Sequence, residues 1–396
     1  MNILYLQSYP HWTPMTTVHT VLAEGLAPLG MQVHVAAPRS TDPERPGVLE
    51  RLGAAGSIPL VEAEILPSIY ERKGTLPLAL SVAAAPLALA RLVRYVKQHD
   101  IRLVHVASHG RDLVTGALVA RASRVPLVAH LHTNFATWFS RSMRFGLRHA
   151  DAVIAISEFV ARTAREGGIR PERLAVVPNA IDASTVSPSR SAEDVRRDLG
   201  VSPGAPVVVT VARIVQWKGL DRLVAAFDIA RRAIPNAELV VVGDAQDTYA
   251  GSLEFLQAVK ADVGRRGLSS VVHFVGRRSD VPDVLAASDV FALASREEPF
   301  GLVYLEAMAA SRPVVAERSG GTPEVVAEGE SALLAQPDDI PGFAAALVRL
   351  LGDPGLRASM GQAGKARARA RFGVPEVSKV AYRVLDRVAR RVPLNP

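Results

Sequence analysis

Cysteine is absent from the 396 residues, which excludes disulfides, thiolate metal centres and a thiol nucleophile, and points to an intracellular chain held together by its core alone. Aromatic residues make up only 5% and nowhere interleave with a basic stripe as single-strand binders require, so no nucleic-acid partner is expected. Long apolar runs are missing as well. The most lipid-like stretch, 76–90, carries no charge but is interrupted by Pro77 and Pro86 and falls short of the roughly 20 residues that span a bilayer. A buried helix, or one lying on a membrane surface, is expected there. The first residues, Met1-Asn-Ile-Leu-Tyr-Leu6, run into a strand with no basic leader, so a signal peptide is not expected and a cytoplasmic location is. Finally, no Gly-x-Gly-x-x-Gly follows any apolar run, which argues against a dinucleotide-dependent dehydrogenase.

What the chain does have is bulk: 48% hydrophobic residues over a length that suits two domains rather than one core. Short apolar runs alternate with helical segments in two series. The first covers 3–6, 33–37, 103–107, 127–131, 152–156 and 174–177; the second covers 207–212, 239–242, 271–275, 290–294, 314–316 and 333–334. Most lack polar alternation, as strands covered on both faces should. The expected fold is therefore α/β, with two Rossmann-like, doubly wound parallel sheets. Between the series, 184–206 is rich in Ser, Pro and charge and reads as a linker. The expected domains are 1–182 and 183–374. Residues 375–391 carry Val377, Val380, Val384 and Val388 at helical spacing, an amphipathic helix expected to dock back on a domain. Residues 40–75, with four prolines, form a long connection of the kind that more often serves function than accident. The net charge of +7 is uneven: residues 1–182 hold 19 basic against 14 acidic side chains, residues 183–374 are close to balance, and the tail is basic.

Two constellations carry chemistry. In Glu298-Pro-Phe-Gly-Leu-Val-Tyr-Leu-Glu306 a carboxylate sits in the loop after an apolar run and a second lies within the helix that follows. Such a loop at the carboxyl end of a strand is where open α/β sheets bind ligands, and the helix start offers N–H groups and a positive dipole end to an anion. Gly301 allows close approach of a ligand to the backbone. In Arg213-Ile-Val-Gln-Trp-Lys218-Gly219 a strand ends and two cations precede the next helix, an arrangement that can clamp a diphosphate.

Together these patterns resemble the retaining glycosyltransferases of family 4, whose GT-B fold sets two Rossmann-like domains facing each other across a cleft. The likeness extends over essentially the whole chain: Val176-Val-Pro-Asn179-Ala-Ile-Asp182 before the linker, Gly243-Asp244, Gly276-Arg277 with Asp289, and Ser319-Gly-Gly321-Thr-Pro-Glu324 are similar too. The resemblance implies that Arg213 and Lys218 hold the donor diphosphate and that Glu306 holds the ribose. It also implies that Glu298, with the backbone of Phe300, Gly301, Leu302 and Val303, meets the donor sugar and phosphate, and that Gly243 and Arg277 border the nucleotide. His132, in His130-Leu-His132-Thr133, falls where the family places a histidine facing the transferred sugar. The implied activity is transfer of a sugar from a UDP- or GDP-sugar to a hydroxyl acceptor with retention, needing no cofactor and no metal, in keeping with the lack of an Asp-x-Asp pair.

One departure concerns the first loop. Many relatives carry a Gly-Gly pair there, whereas this chain has Ser8-Tyr-Pro-His11-Trp12-Thr-Pro14-Met-Thr16, and proline offers no N–H. His11, Trp12 and Thr16 are the acceptor-side candidates. Arg72, Lys73, Arg111, Arg141, Arg144 and Arg148, with Trp138, Phe139, Met143 and Phe145 among them, suggest peripheral contact with an anionic membrane at its inner surface. Two other readings of the same residues are a nucleotide-sugar epimerase of the same architecture and a non-catalytic nucleotide-sugar binder. A glycosidase using Glu298 and Glu306 as its carboxylate pair is disfavoured, since it would not need the Arg-Lys clamp.

Overall fold

The computed structural model describes residues 1–40, 47–63, 75–107, 109–135, 139–246 and 249–394, with the backbone alone for residues 75–84. The chain divides into two compact units, Met1–Ala180 with Val374–Pro396, and Ile181–Gly373.

The first unit contains β1 (Asn2–Leu6), β2 (Gln32–Ala37), β3 (Leu60–Glu62), β4 (Ile101–Ala107), β5 (Leu127–Leu131), β6 (Ala152–Ala155) and β7 (Leu174–Val176). The second contains β8 (Val207–Val211), β9 (Glu238–Val242), β10 (Val272–Gly276), β11 (Val290–Leu293), β12 (Val314–Glu317) and β13 (Ala332–Ala335). Each unit is one parallel sheet, ordered β3-β2-β1-β4-β5-β6-β7 and β10-β9-β8-β11-β12-β13. The expected α/β class and both strand series are thus observed, and for the expected reason. The central runs are apolar throughout because helices cover both faces: Val207, Val208 and Val209, for example, are all at most 1% exposed. In each sheet the winding reverses once, between β1 and β4 and between β8 and β11. Those two points bring the loops after neighbouring strands side by side, and ligands of open α/β sheets bind there.

Of residues 40–75, expected as a long connection, 41–46 and 64–74 lie outside the described residues; the described part holds a helix Val48–Ala55 and the edge strand β3. A strand of three residues directly after Pro59 is too short to show a pattern. The C-terminal helix Val374–Ala389 packs on the helix Pro14–Leu26 of the first unit. Its buried stripe is Val377, Ala381, Leu385 and Val388, whereas Val380 and Val384 are only half-buried. The interhelical approach is close: a β-carbon on Gly25 would lie 2.0 Å from Ser378 Oγ. Among the described residues no helix is long and apolar enough to cross a membrane.

Candidate functional site

The strand order of the second unit puts the loop after β8 beside the loop after β11. Lys218 comes from the first and Glu298 from the second, and Lys218 Nζ donates to Glu298 Oε2 at 2.5 Å, with only 14% and 7% of the two side chains exposed. The loops fit because two glycines take conformations closed to other residues. Gly219 (φ +68°) lies where a β-carbon would be 1.9 Å from Ala294 O, and Gly320 (φ +61°) where one would be 2.4 Å from Glu298 O. Gly321 N–H donates to Glu298 O at 2.7 Å, and Glu297 N–H to Ser319 Oγ at 2.8 Å. The Glu298 backbone is thus held from the loop after β12 and its side chain from the loop after β8. Arg222 reinforces this from below, donating to Glu317 Oε1 at 2.9 Å and to Ala294 O.

The other expected donor-side residues belong to the same unit. Gly301 precedes the helix Leu302–Ala309, whose N-terminus has no side-chain cap, so its first turn is open to an anionic group. Phe300 differs: its ring is buried at 2% exposure against Phe372, so only its backbone faces the loop. Glu306 is half-buried, its carboxyl is pushed above the usual range by desolvation, and no cation pairs with it among the described residues. The Arg213 guanidinium lies 4.6 Å from the Tyr249 ring centre and 6.0 Å from that of Trp217. Burial lowers its pKa, and the charge of Glu298 partly offsets this. Gly243 N–H donates to Gly276 O at 2.8 Å, and Arg277 is exposed beyond β10, at the edge of the sheet. The structure therefore joins Lys218 to Glu298 directly and leaves Arg277 farther out.

In the first unit, His132 follows β5 at its carboxyl end, and here sequence reasoning missed most of the surroundings. His132 Nε2 is 2.9 Å from His19 Nε2 of the helix Pro14–Leu26. His130 stacks on His132 at 4.4 Å between ring centres, His105 of β4 stacks on His130 at 5.4 Å, and Tyr5 of β1 stacks on His19 at 4.1 Å. Burial holds all four imidazoles neutral: His132 is pushed down to about 3 and His105 to about 4, and His19 and His130 lie well below the ordinary range. The one available signal was a histidine inside otherwise apolar runs, as in Val104-His105-Val106.

The first loop is held by its own bonds. Asp112, 1% exposed, accepts from Ser8 N–H at 2.6 Å. The Thr16 hydroxyl is buried, completes a capping box with Thr13 and bonds Gln7 Oε1 at 3.2 Å. Trp12 donates to Thr17 Oγ1 at 2.8 Å, and the Arg51 guanidinium covers one face of its ring at 4.3 Å. His11 Nδ1 is 3.3 Å from Ser40 Oγ. Of the basic-aromatic group, Arg72, Lys73 and Trp138 lie outside the described residues; Phe139 and Met143 are buried, and Phe145 is 49% exposed on the helix Arg141–His149.

Sequence comparison matches residues 15–185 to Glycosyltransferase Family 4 and residues 191–367 to Glycosyl transferases group 1. The chain is similar to a D-inositol 3-phosphate glycosyltransferase of Acidothermus cellulolyticus, 33% identical over 86% of this chain and 78% of that one. It is also similar to a GDP-mannose-dependent alpha-(1-6)-phosphatidylinositol monomannoside mannosyltransferase of Mycolicibacterium smegmatis, 31% identical over 71% and 75% of the two. Among solved structures, Anabaena Alr3699/HepE in complex with UDP superposes with a TM-score of 0.79 at 26% identity, over 98% of this chain and all of that one.

Proposed function

This chain is a family 4 glycosyltransferase that takes its sugar from a nucleotide sugar, and on that footing we propose that the donor is a UDP- or GDP-sugar and that transfer to a hydroxyl proceeds with retention. The observation that carries the reading is the buried Lys218–Glu298 pair beside the uncapped helix at Gly301. Arg213 and Lys218 meet the diphosphate, whose negative charge grows as the sugar leaves, and the first-turn N–H groups of Leu302 and Val303 add to that stabilisation. Glu298 orients Lys218 and accepts from the sugar. Glu306, desolvated and without a cation, accepts from the ribose hydroxyls, and bringing donors to a buried carboxylate offsets its desolvation. Gly243 and Arg277 lie toward the base. His132, kept neutral, takes a hydrogen bond with the transferred sugar. As the bond from C1 to the phosphate oxygen breaks, the acceptor oxygen bonds to C1 on the same face and its proton passes to the departing phosphate.

The names of the relatives support both guanine and uracil: one is called GDP-mannose-dependent, and the Anabaena structure holds UDP. The acceptor is a hydroxyl of a polyol, a glycan or a lipid head group. For a lipid-borne acceptor, the helix Arg141–His149 with exposed Phe145 is the surface that meets an anionic bilayer. Sedimentation with anionic vesicles no greater than with neutral ones removes that attachment. The reaction itself is tested by offering a panel of nucleotide sugars with polyol and glycan acceptors and reading the anomeric configuration of the product by NMR. A product with the donor's configuration is expected. An inverted product refutes the assignment of Glu298 and His132, and donor turnover without any acceptor favours an epimerase.

A further inference from the structure

Nine of the ten histidines fall within residues 1–182, and four of them, His19, His105, His130 and His132, share one cluster. A packed core rarely gathers imidazoles, because each carries two nitrogens that want partners. The cluster leaves three of its eight nitrogens buried without one. His130 is 1% exposed and neither Nδ1 nor Nε2 has a partner; Nε2 of His105, 2% exposed, has none either. The single hydrogen bond within the group is His19 Nε2 to His132 Nε2.

One nitrogen each from His19, His130 and His132 lies within 4.8 Å of the others. Two imidazole nitrogens on a tetrahedral zinc ion, each about 2.0–2.1 Å from it, stand about 3.3 Å apart. The 2.9 Å separation of His19 and His132 therefore needs to open only slightly, and His130 needs to turn inward. We propose that His19, His130 and His132 form a three-histidine site for a divalent transition-metal ion of the zinc class. Three neutral nitrogen donors with no carboxylate or thiolate select zinc, copper, nickel or cobalt over magnesium or calcium. Three protein ligands leave a fourth position open, as in zinc centres that bind water or a substrate oxygen. Tyr5 stacked on His19 and His105 stacked on His130 pack the cluster from outside.

The site goes beyond the transfer reaction and does not depend on it, since all three ligands belong to the first unit. Its consequence for transfer does rest on the role given to His132: a bound ion takes that imidazole away from the sugar, which makes the metal an inhibitor relieved by a chelator. Metal bound with transfer unchanged would keep the site and withdraw His132 from the reaction.

The test is titration of the full chain with Co2+ followed by its visible absorption, then displacement with Zn2+. One saturating equivalent with the intense bands of four-coordinate cobalt is expected. His19→Gln and His130→Gln should each weaken binding by more than the roughly tenfold that even an outer partner is worth, while His149→Gln, remote from the cluster, should leave it unchanged. Far-UV circular dichroism establishes that each variant is folded, and should both fail to fold, the wild-type spectrum decides. No saturable binding, or only the weak bands of six-coordinate cobalt, overturns the proposal, as does binding that survives both substitutions.

Discussion

Acidification should unfold the first unit through its histidines. His132 and His105 are held at about 3 and about 4, against roughly 6.5 in an unfolded chain. Between those values the unfolded state binds protons that the folded state refuses, so stability is full above about pH 6.5 and falls as the pH drops toward the folded values. At about pH 5 each imidazole is short of its unfolded value by about 1.5 pH units, worth about 2 kcal/mol. Neither is protonated in the folded state there, so the two terms add to about 4 kcal/mol, a large share of a typical stability of roughly 5–15 kcal/mol. For a domain of this size that lowers the melting temperature by roughly 8–16 °C. Carboxylates also titrate in this range, so the informative quantity is the difference between the wild type and the double variant His105→Gln/His132→Gln in melting scans at about pH 7.5 and about pH 5. The variant should lose less melting temperature on acidification by that amount. Equal losses would mean that the imidazoles titrate near their ordinary value and that their burial is illusory.

Two further substitutions probe the second unit. Lys218→Ala leaves Glu298 buried without its cation and should cost about 3–5 kcal/mol in urea denaturation; an unchanged midpoint would show the pair to be solvent-screened. Gly320→Ala forces a β-carbon against Glu298 O in a left-handed conformation, so a loss of at least about 1–2 kcal/mol is expected together with loss of transfer. Full activity in that variant would show that the Glu298 backbone tolerates displacement.

The contrast between what was readable and what was not has a physical basis. Both strand series were readable because strands buried on two faces must be apolar throughout, as Val207-Val-Val209 and Val240-Val-Val242 are. The edge strand β3 escaped because two half-buried residues and one exposed one leave no such trace. In the C-terminal helix the repeating valines mark a face, yet the buried stripe runs from Val377 through Ala381 and Leu385 to Val388, and Val380 and Val384 lie at its margin. Lys218 and Glu298 were expected to grip a ligand separately; their direct contact, across 80 residues of sequence, follows from the adjacency of β8 and β11, which no local pattern encodes. His19 and His132 are 113 residues apart and meet for the same kind of reason. The capping partners Thr13 and Thr16 were in plain view, and their three-residue spacing accounts for the buried hydroxyl better than an acceptor role does.

The central claim is that the loops after β8 and β11 bind a nucleoside diphosphate, and the most direct measurement is the thermal stability of the wild type and Lys218→Ala with UDP, GDP and ADP. A ligand at about 100 times its dissociation constant adds about 2.7 kcal/mol. The account predicts that UDP or GDP stabilises the wild type to that extent and that Lys218→Ala abolishes the gain. Stabilisation by none of the three, or an equal gain in the variant, would contradict it.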